Sequence, residues 1–400
     1  MGGSKVDLRT NVQGSKLTPK MLAIYAAIAV VVIAGPIYFQ SVGNLFMVRI
    51  FALVGIYVML ALGLNIVVGY AGLLDLGYVA FYGMGAYSGV LYGFIFQKLI
   101  GGPESALAPY SYWILLIPAA LAGAVTGIAL GTPVLRLRGD YLAIVTLGFG
   151  EIVRIALTNN IFGITNGAAG LPGVGQVIVP AAGQEWARET FSTDTFMFSK
   201  DLFWYFIIVA LCLFTIFIIR RLDNSRLGRA WVAMREDEVA AASVGINIMA
   251  TKLWAFSLGA VWGGIAGITY AYWVGFISPE SFNFMESVLI VCMIVLGGMG
   301  SIPGAIIGAV IIAGLPEIIR GLAQSEALSG ILTPEQASLV GDYRFLIFGG
   351  LMVVMMAFRP QGIFPSSRRA RELTSDESII DEANTDLWEV ENKTDSPHSL

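Results

Sequence analysis

Of the 400 residues in this chain, 56% are hydrophobic and only 13% are charged, and the formal net charge is −4. A soluble domain carries about 25% charged residues, so a water-soluble fold of this composition would expose large apolar patches and aggregate. The composition therefore excludes an ordinary soluble protein and favours one whose apolar faces are covered by lipid.

Long uncharged runs follow one another along the chain and predict its spanning helices, each of which needs roughly 20 apolar residues. The runs that can each hold at least one span are Met21–Val48, Ile50–Leu74, Leu76–Gln97, Ser105–Leu135, Leu202–Ile219, Leu253–Pro279 and Ser287–Pro316. Tyr141–Thr158 carries Glu151 and Arg154, and Phe345–Phe358 is long enough if residues 341–344 extend it. We expect an all-α polytopic membrane protein with about eight to ten transmembrane helices.

The N-terminal extension, residues 1–20, is polar and carries Lys5, Arg9, Lys16 and Lys20. The apolar run that follows is too long for the h-region of a signal peptide and has no evident cleavage site. We therefore predict a cytoplasmic extension and a retained first helix at the start of a transmembrane domain that covers residues 21–359.

Basic residues predict which loops lie on the cytoplasmic side. They cluster at Arg136 and Arg138, at Arg220, Arg221, Arg226, Arg229 and Arg235, and at Arg359, Arg368, Arg369 and Arg371. With both termini inside, residues 160–200 become an external, periplasmic loop, and residues 287–316 must supply an even number of passes. Two short helices give ten spans and a re-entrant pair gives eight; both alternatives stay open. The acidic tail, residues 360–400, is predicted to be a disordered cytoplasmic segment.

Two glycine-rich interruptions fall inside apolar sequence, at Asn65–Gly77 and at Gly297–Gly304. Backbone that leaves helical geometry inside lipid must be covered by protein or line a cavity. Paired interruptions in two halves of a chain point to a transport pathway, although the first could also be a tight cytoplasmic turn. Glu151 and Arg154 are three residues apart on a predicted helix, and we expect them to pair near the external interface.

Residues 221–252 form the most informative polar stretch. Asp237–Val244 is rich in Ala and Glu and predicts a short helix, and Gly245 is placed to end it. A compact charged helix between two spans is suited to docking against another protein. The pattern Glu238-x-Ala240-Ala241-x-x-x-Gly245 resembles the EAA loop of ABC importer permeases, with Val239 where the general motif has Ala.

The resemblance continues over most of the chain, from about Arg49 to Gly362, and it is to the LivM-type permeases of branched-chain amino acid transporters. It rests on Gly63–Asn65, Gly69–Gly77, Ala80–Tyr87, Leu137–Gly148, Thr165–Gly167 with Gly170–Leu171, and Val295–Ala305. The N-terminal extension and the acidic tail fall outside it.

The resemblance implies an ABC importer permease fold with broken or re-entrant helices, in a multi-pass subunit of the bacterial inner membrane. It implies a second homologous permease, two ATPase subunits and a periplasmic substrate-binding protein as partners, with membrane lipid around them and no nucleic acid. The residues implied in ATPase coupling are Arg235, Glu236, Asp237, Glu238, Ala240, Ala241 and Gly245. Candidates for the translocation path are Asn65, Asp75, Tyr78, Phe81, Gly297, Gly298 and Gly300.

The sequence also limits the chemistry. It has no P-loop motif, so ATP is expected to bind to partner subunits, and no cofactor or metal is expected in this chain. The two cysteines, Cys212 and Cys292, lack metal-ligand spacing and predict small core residues, while the single histidine, His398, lies in the tail. Branched-chain amino acids are the expected substrates. The alternatives are urea or short amides, and a self-powered secondary transporter, which would need intramembrane carboxylates such as Asp75 and Glu151 for ion coupling.

Overall fold

The structure is a computed structural model that describes residues 19–102, 107, 110–137, 139–161, 163–173, 199–317, 344–359 and 362–364. This part of the chain is almost entirely helical. Its helices are α1 (Pro19–Ser41), α2 (Leu45–Asn65), α3 (Val79–Leu99), α4 (Ser111–Val134), α5 (Asp140–Thr158), α6 (Lys200–Asp223), α7 (Arg226–Glu236), α8 (Glu238–Ser243), α9 (Ile248–Val274), α10 (Phe284–Gly297), α11 (Ile302–Ala309) and α12 (Arg344–Phe358). The predicted N-terminal extension and acidic tail lie almost wholly outside the described residues.

Seven helices in the described ranges are long and apolar enough to cross a membrane. They are Leu45–Tyr70, Val79–Leu99, Ser111–Val134, Tyr141–Thr158, Lys200–Asp223, Ile248–Val274 and Pro279–Gly297. The predicted all-α polytopic membrane protein is confirmed. Val30–Ser41 and Ile302–Glu317 are shorter apolar helices, and residues 318–343 lie outside the described ranges, so the total of eight to ten spans stays a prediction.

The centre of the bundle is formed by α2 and α9. In each of them 72% of the most apolar stretch is buried by protein, against 28% for α5, which lies at the periphery. The helix α9 packs along both α3 and α4. Small residues permit this close approach, since a side chain on Gly85 of α3 would collide with the backbone of Gly264 in α9. Such glycine contacts are typical of helix packing in membranes, where backbones can meet without side chains between them.

The helices α10 and α11 form an antiparallel hairpin around the second glycine-rich interruption. Gly297 lies against Gly304, and Met293 lies against Gly308, so the two helices run back along each other. Gly298 and Gly300 both adopt positive φ, at 119° and 77°, in the turn between them. The interruption is therefore a true break in the helix, as predicted.

The opposite end of the bundle holds a small ordered loop structure. The strands β1 (Leu171–Pro172) and β2 (Phe276–Ile277) pair antiparallel. Nearby, the guanidinium of Arg154 pairs with Glu151 at 2.8 Å and with Glu280 at 3.1 Å. The predicted pairing of Glu151 and Arg154 on one helix face is confirmed, and Glu280 is an additional partner that sequence spacing could not indicate.

The two cysteines are buried free thiols, as predicted. Cys212 on α6 donates to the backbone oxygen of Gly55 on α2 at 3.2 Å. Its environment is that of a small core residue, which matches the expectation from its position in an apolar run.

Candidate coupling site and helix breaks

The polar segment between α6 and α9 folds into two short helices rather than the single predicted one. The helix α7 begins after Ser225, whose Oγ accepts from the N–H of Gly228 at 3.2 Å. The helix α8 begins after Asp237, whose Oδ1 accepts from the N–H groups of Val239 and Ala240 at 2.7 and 2.9 Å. Side-chain oxygens at these positions satisfy N–H groups that lack intrahelical partners.

The predicted helix over 237–244 is thus confirmed as α8, and Gly245 ends it with a φ of 89°. The helix α7 was missed in the sequence. Gly228, Trp231 and Met234 are its buried positions, and they recur at helical spacing. That spacing is the signal that could have predicted it.

The inner face of the segment is anchored to α9. Trp231 is 1% exposed, and its Nε1 donates to the backbone oxygen of Thr251 at 2.9 Å. In α8, Ala241 is likewise buried at 3% exposure. These contacts fix the orientation of both short helices relative to the spanning bundle.

An ion pair joins α8 to the start of α9. The Nζ of Lys252 lies within ion-pair distance of Oε1 of Glu238, and the Lys252 side chain is only 5% exposed against 36% for Glu238. Glu238 is one of the predicted coupling residues, while Lys252 was not recognised in the sequence. Lys252 directly precedes the uncharged run Leu253–Pro279, and this position could have indicated that its charge needs a partner.

The outer face of the segment is open. Exposed positions are Glu236, Asp237, Val239, Ala240, Ala242, Ser243, Val244 and Gly245. Val239 and Val244 are 73% and 76% exposed, although both side chains are apolar. Of the predicted coupling residues, Glu236, Asp237, Ala240 and Gly245 therefore face outward, while Glu238 and Ala241 face the bundle.

The first helix break begins at the end of α2. The backbone continues as a π-helical turn, Ile66–Tyr70, and then loses helical geometry until α3 starts at Val79. Both Asn65 before the break and Asp75 within it are completely buried. This burial is that of a broken helix inside protein and differs from an exposed turn between two helices.

Asp75 and Tyr78 hold the non-helical stretch in place. Oδ1 of Asp75 accepts from the N–H of Gly77 at 2.8 Å, and the Tyr78 hydroxyl donates to the Gly259 oxygen on α9 at 2.9 Å. The neighbouring backbone is held from α5, where Thr146 Oγ1 accepts from the N–H of Leu76 at 3.1 Å. The stretch is therefore bonded to the helices around it.

Asn65 connects the first break to the second. Its Oδ1 accepts from the N–H of Gly300 at 2.9 Å, and its Nδ2 donates to the Ser301 oxygen at 3.5 Å. A side chain on Gly69 would collide with both Asn65 and Gly300, so the two breaks are in direct backbone contact. Gly297–Gly300 and Asn65, all candidates for the translocation path, thus belong to one cluster.

Arg235, at the end of α7, lies over this cluster. Its Nη1 donates to the Gly69 oxygen at 2.8 Å. The aliphatic part of its side chain covers Gly72, where an added Cβ would come within 2.9 Å of the Arg235 Cγ. The predicted coupling segment therefore touches the helix breaks directly, through one side chain.

The other path candidates form a second, aromatic group. The rings of Tyr78 and Phe81 are 5.9 Å apart, and Phe81 contacts Phe256 of α9 at 5.6 Å. Tyr78 and Phe81 are 0% and 1% exposed, so both are packed in protein in this conformation. Their role in a path, like that of the first cluster, stays a prediction.

The described residues contain no group of three or more His, Cys, Asp or Glu side chains placed to hold a metal ion.

Comparison with known proteins identifies the architecture. Residues 46–356 match the family described as branched-chain amino acid transport system / permease component. The chain belongs to this family. The match includes both helix breaks and the whole coupling segment, so these features lie within the part of the chain that defines the permease.

Individual relatives agree with the family assignment. The chain is 38% identical over 384 residues to the high-affinity branched-chain amino acid transport system permease protein LivM of Salmonella typhimurium, covering 93% of this chain and 81% of the relative. It is 40% identical over 370 residues to the LivM protein of Escherichia coli, covering 89% and 77% of the two chains. A probable LivM protein of Methanocaldococcus jannaschii is 25% identical over 336 residues, covering 78% of this chain and 91% of the relative. No solved structure matches this permease.

Proposed function

We propose that this permease is a subunit of an ATP-driven importer and forms half of the translocation pathway for branched-chain amino acids. Its partners are a second, homologous permease, two ATPase subunits that bind and hydrolyse ATP, and a periplasmic substrate-binding protein. The complex lies in the bacterial inner membrane, surrounded by lipid. Family membership and the names of the relatives support the substrate class.

The observation that carries this proposal is the two-sided coupling segment. Its inner face is fixed to α9 through Trp231 and the pair of Glu238 with Lys252, and its outer face exposes Val239 and Val244. Exposed apolar side chains on an otherwise polar element mark a surface that another protein can cover, because their burial stabilises the complex. An ATPase subunit is the partner that we propose for this face, because the chain belongs to a transport-system permease family and has no P-loop of its own.

The orientation follows from the positions of the basic residues. The last turn of α6 contains Arg220 and Arg221, beside the coupling segment, and Arg359 directly follows α12. Because basic loops remain on the cytoplasmic side, this end faces the cytoplasm in our proposal, with both termini on the same side. The β1–β2 end then faces the periplasm, where a substrate-binding protein would dock.

The test is ATP-dependent uptake by vesicles that contain this permease together with the second permease, the ATPase subunits and the substrate-binding protein. Radiolabelled leucine should enter the vesicles when ATP is supplied on the side where the ATPase subunits lie. Unlabelled isoleucine and valine should compete with it. Urea and short amides should not compete. Uptake that continues without ATP hydrolysis but requires an ion gradient would overturn the proposal in favour of a secondary transporter.

Val239 offers a test of the docking face itself. We expect Val239→Asp to leave the permease folded, because the side chain is 73% exposed, and to reduce recovery of the ATPase subunits with it. Val239→Ala is the matched control, since it removes apolar surface without adding charge. Equal recovery of the ATPase subunits with Val239→Asp and with the unaltered chain would contradict docking at this face.

A further inference from the structure

We propose that Arg235 is a positioning residue that fastens the coupling segment to the first helix break, beside its contact with the second, so that a displacement of α7 and α8 reaches the breaks through this side chain. The inference rests on the proposed function, because it assigns to one residue the transmission of movement from the ATPase face to the pathway. It separates Arg235 from the outward-facing coupling residues, which would contact the partner.

The acceptor of the Arg235 bond is a carbonyl that the helix break leaves available. In a continuous α-helix the Gly69 oxygen would accept from the N–H of Leu73. Here the N–H of Leu73 donates instead to the Val67 oxygen at 3.1 Å, and the Gly69 oxygen accepts from Arg235 Nη1 at 2.8 Å. A cation at the carboxyl end of a helix also complements the negative end of the helix dipole.

The guanidinium bonds to the first break and lies beside the second, because glycines surround it. Its Nη1 would lie 3.6 Å from a Cβ built on Gly300, and its Cγ and Cδ would lie 2.9 and 3.3 Å from one built on Gly72. Both glycines adopt positive φ, at 77° and 71°, a conformation that other residues rarely adopt. The same backbone geometry therefore creates the breaks and admits the Arg235 side chain between them.

The side chain is also well placed to carry a displacement. Arg235 lies one turn of α7 after the buried Trp231 and two positions before Asp237, which caps α8. Through Glu238 and Lys252, α8 is joined to α9. A displacement of α8 is therefore transmitted to Arg235 through two residues of covalent backbone. From Arg235 it reaches Gly69 through a hydrogen bond.

The first experiment compares three variants in the assembled complex: Arg235→Met, Arg235→Lys and the control Arg229→Met. Arg229 is an exposed arginine on the same helix, and its Nη1 donates to the Asn224 oxygen at 3.2 Å. We expect Arg235→Met to keep the ATPase subunits and their hydrolysis of ATP, while uptake per ATP hydrolysed falls about tenfold, the effect of losing one hydrogen bond to a charged group. Arg235→Lys should restore part of this ratio, because it keeps the charge but not the planar fork. Arg229→Met should leave the ratio unchanged.

Loss of ATPase recruitment in Arg235→Met would overturn the inference, since it would place Arg235 at the partner surface. An unchanged ratio of uptake to hydrolysis would overturn it as well. Size-exclusion chromatography of each variant separates both outcomes from a failure to fold, and partial recovery by Arg235→Lys would distinguish a positioning role from general destabilisation.

A second measurement is independent of transport. Spin labels at Leu74→Cys and Val244→Cys, in a chain with Cys212→Ser and Cys292→Ser, report the distance between the first break and the coupling segment. Both positions are exposed, at 38% and 76%. In the full-length permease in lipid nanodiscs we expect a narrow distance distribution that broadens in Arg235→Met and stays narrow in Arg229→Met.

An equally narrow distribution in Arg235→Met would overturn the link. If the unaltered complex shows no ATP-driven uptake, the proposed function fails, while the spin-label measurement still tests whether Arg235 holds the two parts together. The two conclusions can therefore fail separately.

Discussion

Asn65 and Gly300 are 235 positions apart in the chain, and the side-chain oxygen of one accepts from the backbone N–H of the other at 2.9 Å. The bond joins the end of α2 to the turn between α10 and α11. A side chain at the first break thereby satisfies backbone groups of the second, which need a partner inside the protein. The broken helices of this permease are therefore a pair that must be considered together.

Asn65→Ala should destabilise the permease, because it removes the fully buried acceptor of the partly buried N–H of Gly300. We expect a loss of about 1–3 kcal/mol, the cost of a buried polar group without a partner, seen as a lower midpoint of thermal unfolding in detergent. Asn224→Ala is the matched control, since the Asn224 amide bonds the Arg220 oxygen at an exposed site. Equal midpoints for the two variants would contradict the importance of the Asn65 bond.

Removing only one member of the Glu238–Lys252 ion pair should destabilise the permease more than removing both. Glu238→Gln leaves a buried ammonium without its carboxylate and should cost about 2 kcal/mol, less than a fully buried pair because Glu238 is partly exposed. The double variant Glu238→Gln with Lys252→Met should recover part of this loss, because it removes the stranded charge. Thermal unfolding of the single and double variants measures the coupling between the residues. Additive losses would show that the two side chains act independently.

Gly85 should tolerate no larger residue. Gly85→Ala places a methyl group against the backbone of Gly264 and should separate α3 from α9, at a cost of about 1–3 kcal/mol. Gly148→Ala in α5 is the matched control, because nothing lies within 4 Å of an added Cβ there. We expect its unfolding midpoint to stay close to that of the unaltered chain, and a comparable loss in both variants would refute the packing explanation.

Two variants of Asp75 separate the effect of its charge on stability from the effect of its hydrogen bond. Asp75→Asn keeps an oxygen that can accept from the N–H of Gly77, whereas Asp75→Ala loses it. Because a buried carboxylate is costly to desolvate, Asp75→Asn should unfold at the same temperature as the unaltered chain or higher, and Asp75→Ala at a lower one. An asparagine variant as unstable as the alanine variant would mean that the negative charge itself stabilises the stretch.

Several features of this permease were predictable from residues near in sequence. The spans follow from runs without charge, as in α2 and α9, because lipid accepts only apolar surface at that length. The start of α8 at Asp237 and its end at Gly245 follow from capping and from positive φ, which are local properties. The pairing of Glu151 with Arg154 needs only one helical turn.

Other features escaped prediction because they join residues that are distant in sequence. The role of Lys252 depends on the ion pair with Glu238, and the orientation of α7 depends on the bond from Trp231 to Thr251. The contact of Arg235 with Gly69 spans 166 positions. The periodicity of a sequence indicates which face of a helix is apolar, but it does not indicate which other element packs against that face.

By itself the sequence determined that this protein is a polytopic helical membrane protein, where its helices break, and which polar segment interrupts them. These properties depend on composition, run length and local backbone preference. Only the tertiary structure decided that Asn65, Gly69, Arg235 and Gly300 meet at one point. Such a cluster depends on the packing of α2, α7 and the α10–α11 hairpin, since backbone groups exposed by one break are satisfied only by the chain that folds against them.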